Sequence, residues 1–241
     1  MPPPPTFDVR LAHARIIAPA VRELRFERAD GAPFAFVAGQ WVSLVLPLEE
    51  GEARRAYSIA SPPDGSSGFE IAVTKVEGGP GSTYLHDLPL GATLRVIGPQ
   101  GFFTRPRGTA HPSLFVGTGT GITPLRSMIK DALASGDASP MVLLVGVRHE
   151  EDRLYLEELD ELTAKHPHLR VFYTLSQGAS AWTGLRGYVQ THTESFWREL
   201  EAAGAPHIYV CGLERMVGAV RDLLRKQLGV DRKQVHSERY D

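Results

Sequence analysis

Cysteine is nearly absent. Among 241 residues there is one, Cys211, which excludes an intrachain disulfide, an all-cysteine zinc site and a four-cysteine iron–sulfur cluster. If the chemistry needs a one-electron metal centre, that centre must lie in another molecule. Net charge is scarce too: 26 Lys and Arg against 28 Asp and Glu leave −2, so no global basic field recruits nucleic acid or an anionic membrane. No apolar run approaches the ~20 residues of a membrane helix, and the opening MPPPPTFDVR lacks the apolar core of a secretory signal. Neither an H-E-x-x-H zinc helix nor a G-x-S-x-G elbow occurs, and no metal site is expected. These absences predict a cytoplasmic protein with no membrane span and no nucleic-acid partner; a monomer is the further expectation.

What is present divides in two. Up to about residue 108, short runs rich in β-branched and aromatic residues are separated by Gly, Pro and Asp: Phe7 to Ala14, Val21 to Glu27, Gln40 to Leu46, Ala56 to Ile59, Glu70 to Val76 and Thr93 to Ile97. Six strands with almost no helical periodicity predict an antiparallel β-barrel, with one short helix at Ser82 to Asp87. After RPRGTAHPS the pattern becomes strand–helix alternation. Compact apolar strands at Leu114 to Val116, Met141 to Val147, Leu169 to Leu175 and His207 to Val210 are separated by helical stretches near 124–134, 154–165 and 190–203. A final helix puts Met216, Val217, Val220, Leu223, Leu224 and Leu228 on one face. This second part, 109–241, reads as an α/β doubly wound parallel-sheet domain that follows a barrel domain at 1–108.

LFVGTGTGITPL runs from a buried strand into a helix with Thr123 as its expected N-cap and Pro124 in its first turn. Such a turn offers close backbone approach and helix-end N–H groups to a phosphate or carboxamide. Its glycines are Gly117, Gly119 and Gly121, with Ile122 where the G-x-G-x-x-G fingerprint has its third glycine. YVCGL ends a later strand of the same sheet, and two glycine-bearing strand ends on one edge suggest a shared crevice. In the first part, RRAYSIAS places Arg55 and Tyr57 on one face of a strand, with Arg54 a solvated neighbour.

Taken together and in order, FVAGQWVSL, RAYSIAS, GPQGFF, GTGTGITP, YVCGL and SERYD resemble the ferredoxin-NADP reductase-like flavoproteins over essentially the whole chain. The resemblance implies a barrel that binds FAD and an α/β domain that binds NADH or NADPH. It places Arg55 on the pyrophosphate, Ala56, Tyr57 and Ser58 along the flavin ring, Thr74, Lys75 and Val76 on flavin and ribityl, and Gly79, Gly81 and Ser82 in a second phosphate turn. Around the stack of flavin on nicotinamide it places Ser58, Cys211, Glu238 and Tyr240 as catalytic residues, with the C-terminal tail covering the flavin. Asp241 follows Tyr240, whereas plant-type members end on the aromatic. For the dinucleotide it implies Gly117, Thr118, Gly119, Thr120, Gly121, Pro124, Cys211 and Gly212, with Thr120 also beside FAD. At the adenosine end stand Arg148 and Ser176, but Gln177 occupies the position that NADPH-selective members often fill with arginine, which leans slightly toward NADH.

The function so implied is hydride transfer between NAD(P)H and FAD, with electrons passed to a separate carrier such as ferredoxin or flavodoxin. The alternatives are an NAD(P)H:flavin reductase that uses free flavin as substrate, and an electron-transfer subunit of a larger complex. A basic docking face for an acidic carrier would draw on Arg54, Arg105 and Arg107.

Overall fold

The computed structural model describes residues 4–240. Contacts divide it into two units, one running to Arg107 and including Arg126–Asp131, the other made of Gly108–Leu125 and the residues from Ala132 onward.

In the first unit, strands β1 (Thr6–Ala18), β2 (Val21–Arg28), β3 (Trp41–Leu48), β4 (Gly51–Ser58), β5 (Gly68–Thr74) and β6 (Thr93–Gln100) form one antiparallel sheet in the order β4-β3-β6-β1-β2-β5. Alternation explains it. Val9 and Leu11 of β1, Leu24 and Phe26 of β2, Val42, Leu44 and Leu46 of β3, Ile71 and Val73 of β5, and Leu94 and Val96 of β6 meet in one fully buried core. Tyr57 of β4 packs against that core from its edge. The helix α1 (Pro80–Asp87) adds Leu85 to it.

Strand β4 runs from Gly51 rather than starting at Ala56, because GEARR carries few apolar residues and is exposed along an edge strand. Strand β1 reaches Ala18, with register shifts between Leu11 and His13 and between Ile16 and Ala18 that the pattern did not reveal.

The second unit is a parallel sheet. Its strands β7 (Ser113–Thr118), β8 (Met141–Val147), β9 (Leu169–Leu175), β10 (Leu185–Arg186), β11 (His207–Leu213) and β12 (Val235–Tyr240) lie in the order β10-β9-β8-β7-β11-β12. Helices α2 (Ile122–Ala134), α3 (Leu156–Lys165), α4 (Gln190–Glu201) and α5 (Glu214–Asp222) connect them. The strands β7, β8 and β11 are apolar on both faces, as a sheet covered on both sides requires. The chain winds outward from β7 to β10, then returns to place β11 on the other side of β7. The point where strand order reverses therefore lies between β7 and β11, where ligands of such sheets bind.

Two expectations are corrected here. The final helix stops at Asp222, and Leu223–Gln227 forms a π-turn in which the Leu228 N–H donates to the Leu223 carbonyl; the apolar spacing survives that widening, so periodicity could not reveal it. The helix expected from 154 begins at Leu156, because Tyr155 takes a left-handed φ of 59°.

Candidate functional site

The first part of the site is built on β4 and α1. Arg55 and Tyr57 stand two residues apart on β4, close enough for the guanidinium charge to act on the phenol. Burial nonetheless dominates and pushes the Tyr57 hydroxyl up to about 12, the nearby Arg55 opposing it. Ser58 ends the strand buried, opposite Trp41. The helix α1 begins beneath Arg55: a Cβ on Gly81 would lie 3.3 Å from Cγ and Nε of Arg55 and from Cδ1 of Leu46. With Pro80 at the helix start and the Thr83 N–H given to Gly79, helix geometry leaves the Gly81 and Ser82 N–H groups at the open end. A guanidinium thus flanks a positive helix end.

Ser82 closes the loop before the helix. Its hydroxyl accepts from the Val76 N–H at 3.1 Å and donates to the Gly79 carbonyl at 3.1 Å. Thr74, Lys75 and Val76 are exposed residues held next to the helix start. The other end of α1 is held by Arg22, whose Nη1 donates to the carbonyls of Leu85 at 3.0 Å and Leu88 at 3.1 Å. Nothing in VRELRF marks Arg22 for this, because the carbonyls it reaches lie more than sixty residues away.

Beyond Ser58 the chain is pinned by side chains that sequence reading also missed. Arg126, 2 % exposed, donates to the Ala60 carbonyl and to the Glu70 carboxylate, both at 2.8 Å. The Ser127 hydroxyl donates to the Ser61 carbonyl at 2.7 Å, and the Ser61 hydroxyl accepts from the Glu70 N–H at 3.1 Å. A buried arginine is tolerable because its charge meets a carboxylate.

The proposed basic face needs correction. Arg105 is 3 % exposed, and Arg107 donates to Asp131 at 2.7 Å and to the Pro63 carbonyl at 2.9 Å. Arg54 is exposed.

The second part of the site lies at the reversal point of the parallel sheet. Gly117 ends the buried run of β7, and Gly119 takes φ of 53° with open space over it. A Cβ on Gly121 would collide with the Cys211 carbonyl, and one on Gly212, at φ 141°, with Oγ1 of Thr118. The Leu213 N–H donates to that same Oγ1 at 3.3 Å. The two glycine-bearing strand ends are thus interlocked. Thr123 is not an N-cap: the helix begins one residue earlier, and the Thr123 hydroxyl donates back to the Thr120 carbonyl at 2.8 Å. Pro124 lies buried in the first turn.

The polar run VHSERY proves to be strand β12, in parallel register with β11 so that Cys211 faces Glu238 and Leu213 faces Tyr240. The Tyr240 hydroxyl lies 3.3 Å from that of Thr123. Burial pushes the Cys211 thiol well up, the Glu238 carboxylate adds to this, and a hydrogen bond with Tyr240 opposes it. Cys211 is thus a neutral thiol at physiological pH, unsuited to act as a nucleophile. Four of the sequence-derived residues, Gly121, Cys211, Glu238 and Tyr240, meet in one corner.

Farther along the sheet edge, Arg148 and Ser176 are exposed at the ends of β8 and β9, and the Gln177 N–H donates to the Arg148 carbonyl at 2.9 Å. Arg186 is spent on structure: it donates to the carbonyls of Gly178, Ala179, Ser180 and Trp182. The guanidinium of Arg153 sits 5.2 Å from the Trp182 ring centre. Among the described residues no group of three or more His, Cys, Asp or Glu could hold a metal ion, and no helix is long and apolar enough to cross a membrane.

Comparison with known proteins fits this geometry. The profile of the oxidoreductase FAD-binding domain matches residues 8–104, and that of the oxidoreductase NAD-binding domain matches residues 115–222. The fold and site define a flavin- and nicotinamide-dependent oxidoreductase. More narrowly, the chain belongs to the ferredoxin-NADP reductase family and is an NAD(P)H-dependent flavoprotein reductase. It is 57 % identical over 238 residues to ferredoxin–NADP reductase B of Sorangium cellulosum, covering 98 % of each chain. It is 33 % identical to the ferredoxin–NAD(P)(+) reductase component of the naphthalene 1,2-dioxygenase/salicylate 5-hydroxylase systems of a Ralstonia species, covering 91 % of this chain and 64 % of that one. Among solved structures, the Amycolatopsis cytochrome P450 reductase superposes with a TM-score of 0.85 at 28 % identity, covering 98 % of this chain and 70 % of that one. The chain therefore spans nearly all of the Sorangium reductase but only about two thirds of the reductases of the oxygenase and P450 systems.

Proposed function

We propose that the chain takes reducing equivalents from NAD(P)H through FAD to a separate one-electron carrier of the ferredoxin or flavodoxin type. The observation that carries this reading is the seat at β4 and α1, where Arg55 lies against the open end of a helix. FAD fits these residues: a pyrophosphate needs convergent donors, and the seat offers a guanidinium plus two helix-end N–H groups, with no carboxylate among the ion pairs of Arg55 in the described residues. When bound, FAD supplies the step from two-electron to one-electron chemistry.

The chain's own residues have the simpler task of holding two rings in place. Arg55, Gly81 and Ser82 would hold the phosphates. Tyr57, half-buried on the core, offers a flat face to the ring, and Ser58 a hydroxyl at its edge. Gly119, with open space over it, would let the dinucleotide approach the backbone, while Gly117, Gly121 and Gly212 let the strand ends that carry it pack together. The Tyr240 hydroxyl, engaged by Thr123 and Cys211, holds its ring at the corner where nicotinamide would enter, so the ring must yield when the dinucleotide binds. Glu238 and Cys211 would line that entry, the thiol staying protonated.

The domain limits 1–108 and 109–241 are proposed as the flavin-binding and nucleotide-binding parts. Between NADPH and NADH, Arg148 is the residue positioned to decide, because Arg186 is committed to backbone carbonyls and position 177 is glutamine. The purified chain should be yellow, with flavin absorption near ~450 nm, and should reduce ferricyanide with NAD(P)H. A colourless protein that turns over only with added free flavin would replace this reading with that of a flavin reductase. Its mass by sedimentation tests the monomer.

A further inference from the structure

At the opposite end of β11 and β12 from the corner, three imidazoles meet in a row. His111 lies over His207, with ring centres 3.8 Å apart and planes within 10°. His207 meets His236 edge to edge, Nδ1 to Nε2 at 2.9 Å. His236 in turn stacks on Tyr209 at 4.7 Å, and Tyr209 on Phe115 at 5.3 Å. Strand parity puts His207, Tyr209 and Cys211 on one face of β11, and His236, Glu238 and Tyr240 on the same face of β12. Among the described residues the strand β12 is the edge of its sheet and pairs only with β11. Each placement of Glu238 and Tyr240 therefore depends on how well β12 stays docked.

The contact between His207 and His236 has a simple proton count. With both rings neutral, one N–H donates to the other ring's lone pair. One extra proton leaves that bond in place and strengthens it, since the donor becomes an imidazolium. A second extra proton puts N–H against N–H, and the bond becomes a repulsion between two cations at contact distance. We propose that the pair of His207 and His236 is a positioning device for Glu238 and Tyr240, gripping β12 only while the two rings carry no more than one extra proton between them. That the two residues work at the nicotinamide rests on the function proposed above; the grip itself does not.

The charged and titratable groups around His236 fit this role. From β11 it faces His207 and Tyr209, with His111 stacked beyond His207, and on its own strand the next residue on that face is Glu238. Burial first, then His207, lowers the affinity of His236 for its proton. A histidine whose folded pKa is lowered gives stability that is full above the unfolded value of about 6.5 and is lost as pH falls below it. The grip on β12 should therefore weaken in mild acid, the window in which histidine charges.

The test is native-state hydrogen exchange on the FAD-loaded full chain, corrected for the intrinsic pH dependence of exchange, at about pH 7.5 and about pH 5.5. We expect the protected amides of β12 to lose roughly tenfold in protection at the lower pH while those of β7 and β8 do not. His236→Phe, which keeps a ring on Tyr209 but cannot titrate, should make β12 insensitive to pH; should that variant not fold, His236→Leu, which also removes the titrating ring, gives the same reading. Protection of β12 that is flat with pH in the parent chain, or that falls equally in the variant, overturns the proposal. If protection falls as expected but kcat/KM for NAD(P)H does not follow, the grip stands and the assignment of Glu238 and Tyr240 to the nicotinamide fails.

Discussion

The seat on β4 and α1 and the corner between β7 and β11, the two sites proposed for phosphate-bearing cofactors, are built in opposite ways. The seat is open, and its donors are a flexible guanidinium and backbone N–H groups at the start of a short helix. Gly81 there has neighbours at 3.3 Å, so a methyl group could be accommodated by small shifts. The corner is closed. Gly121 and Gly212 touch backbone and a fixed threonine, and the Cys211 thiol is buried against Glu238 and Tyr240. The proposed roles suit this difference: a site that would keep its cofactor can adapt around it, whereas one that would exchange its ligand each cycle gains from being formed beforehand.

Four experiments sharpen or break this contrast. The largest effect is expected for Gly121→Ala, whose Cβ meets the Cys211 carbonyl; it should cost about 3 kcal/mol or more and abolish turnover with NAD(P)H, while Gly81→Ala costs less than about 1 kcal/mol. Denaturant midpoints of the two variants decide the matter, and equal losses would erase the distinction between seat and corner. Next, Arg55→Ala should weaken FAD retention by roughly 10- to 100-fold, as expected for losing a charge-assisted pair, and Arg54→Ala by little. Equal flavin loading after dialysis would remove Arg55 from the seat.

Arg148→Ala should raise KM for NADPH by about tenfold and leave KM for NADH nearly unchanged if the cation meets a 2′-phosphate. Unchanged KM for both would mean that the chain does not select through this residue. The smallest effect concerns alkaline pH. Tyr57 ionises at about 12 in the folded chain against about 10 unfolded, so between those values the unfolded state loses its proton first and stability falls as pH rises; below about pH 10 nothing is lost. In Tyr57→Phe apoprotein the unfolding free energy from urea titration should fall less across that window, by under about 2 kcal/mol.

The change from alternating strands to strand–helix alternation was legible because burial imposes it directly: Val9, Leu11, Leu24 and Phe26 on one side of the chain, and the continuous apolar strands β7, β8 and β11 on the other. The glycines of the corner were legible because their lack of a side chain is itself the signal. What stayed hidden depends on distant partners. The polar sequence VHSERY becomes a strand only because β11 offers it a parallel edge. Arg22 and Arg126 act on carbonyls more than sixty residues away, and nothing in their own neighbourhood marks them. Thr123 looked like a cap because threonine before a proline usually is one; the turn at Gly119–Gly121 starts the helix early and frees the hydroxyl to meet Tyr240.

The position of β12 bears on the order in which the protein is made. Every residue of the seat, from Arg55 through Ser82, leaves the ribosome before any part of the corner, and the corner waits for a strand that is translated after all the others. Because domains fold largely in the order of their synthesis, the first unit, completed by Arg126–Asp131, can form while Cys211 still lacks Glu238 and Tyr240. The two proposed sites are thus completed at different times.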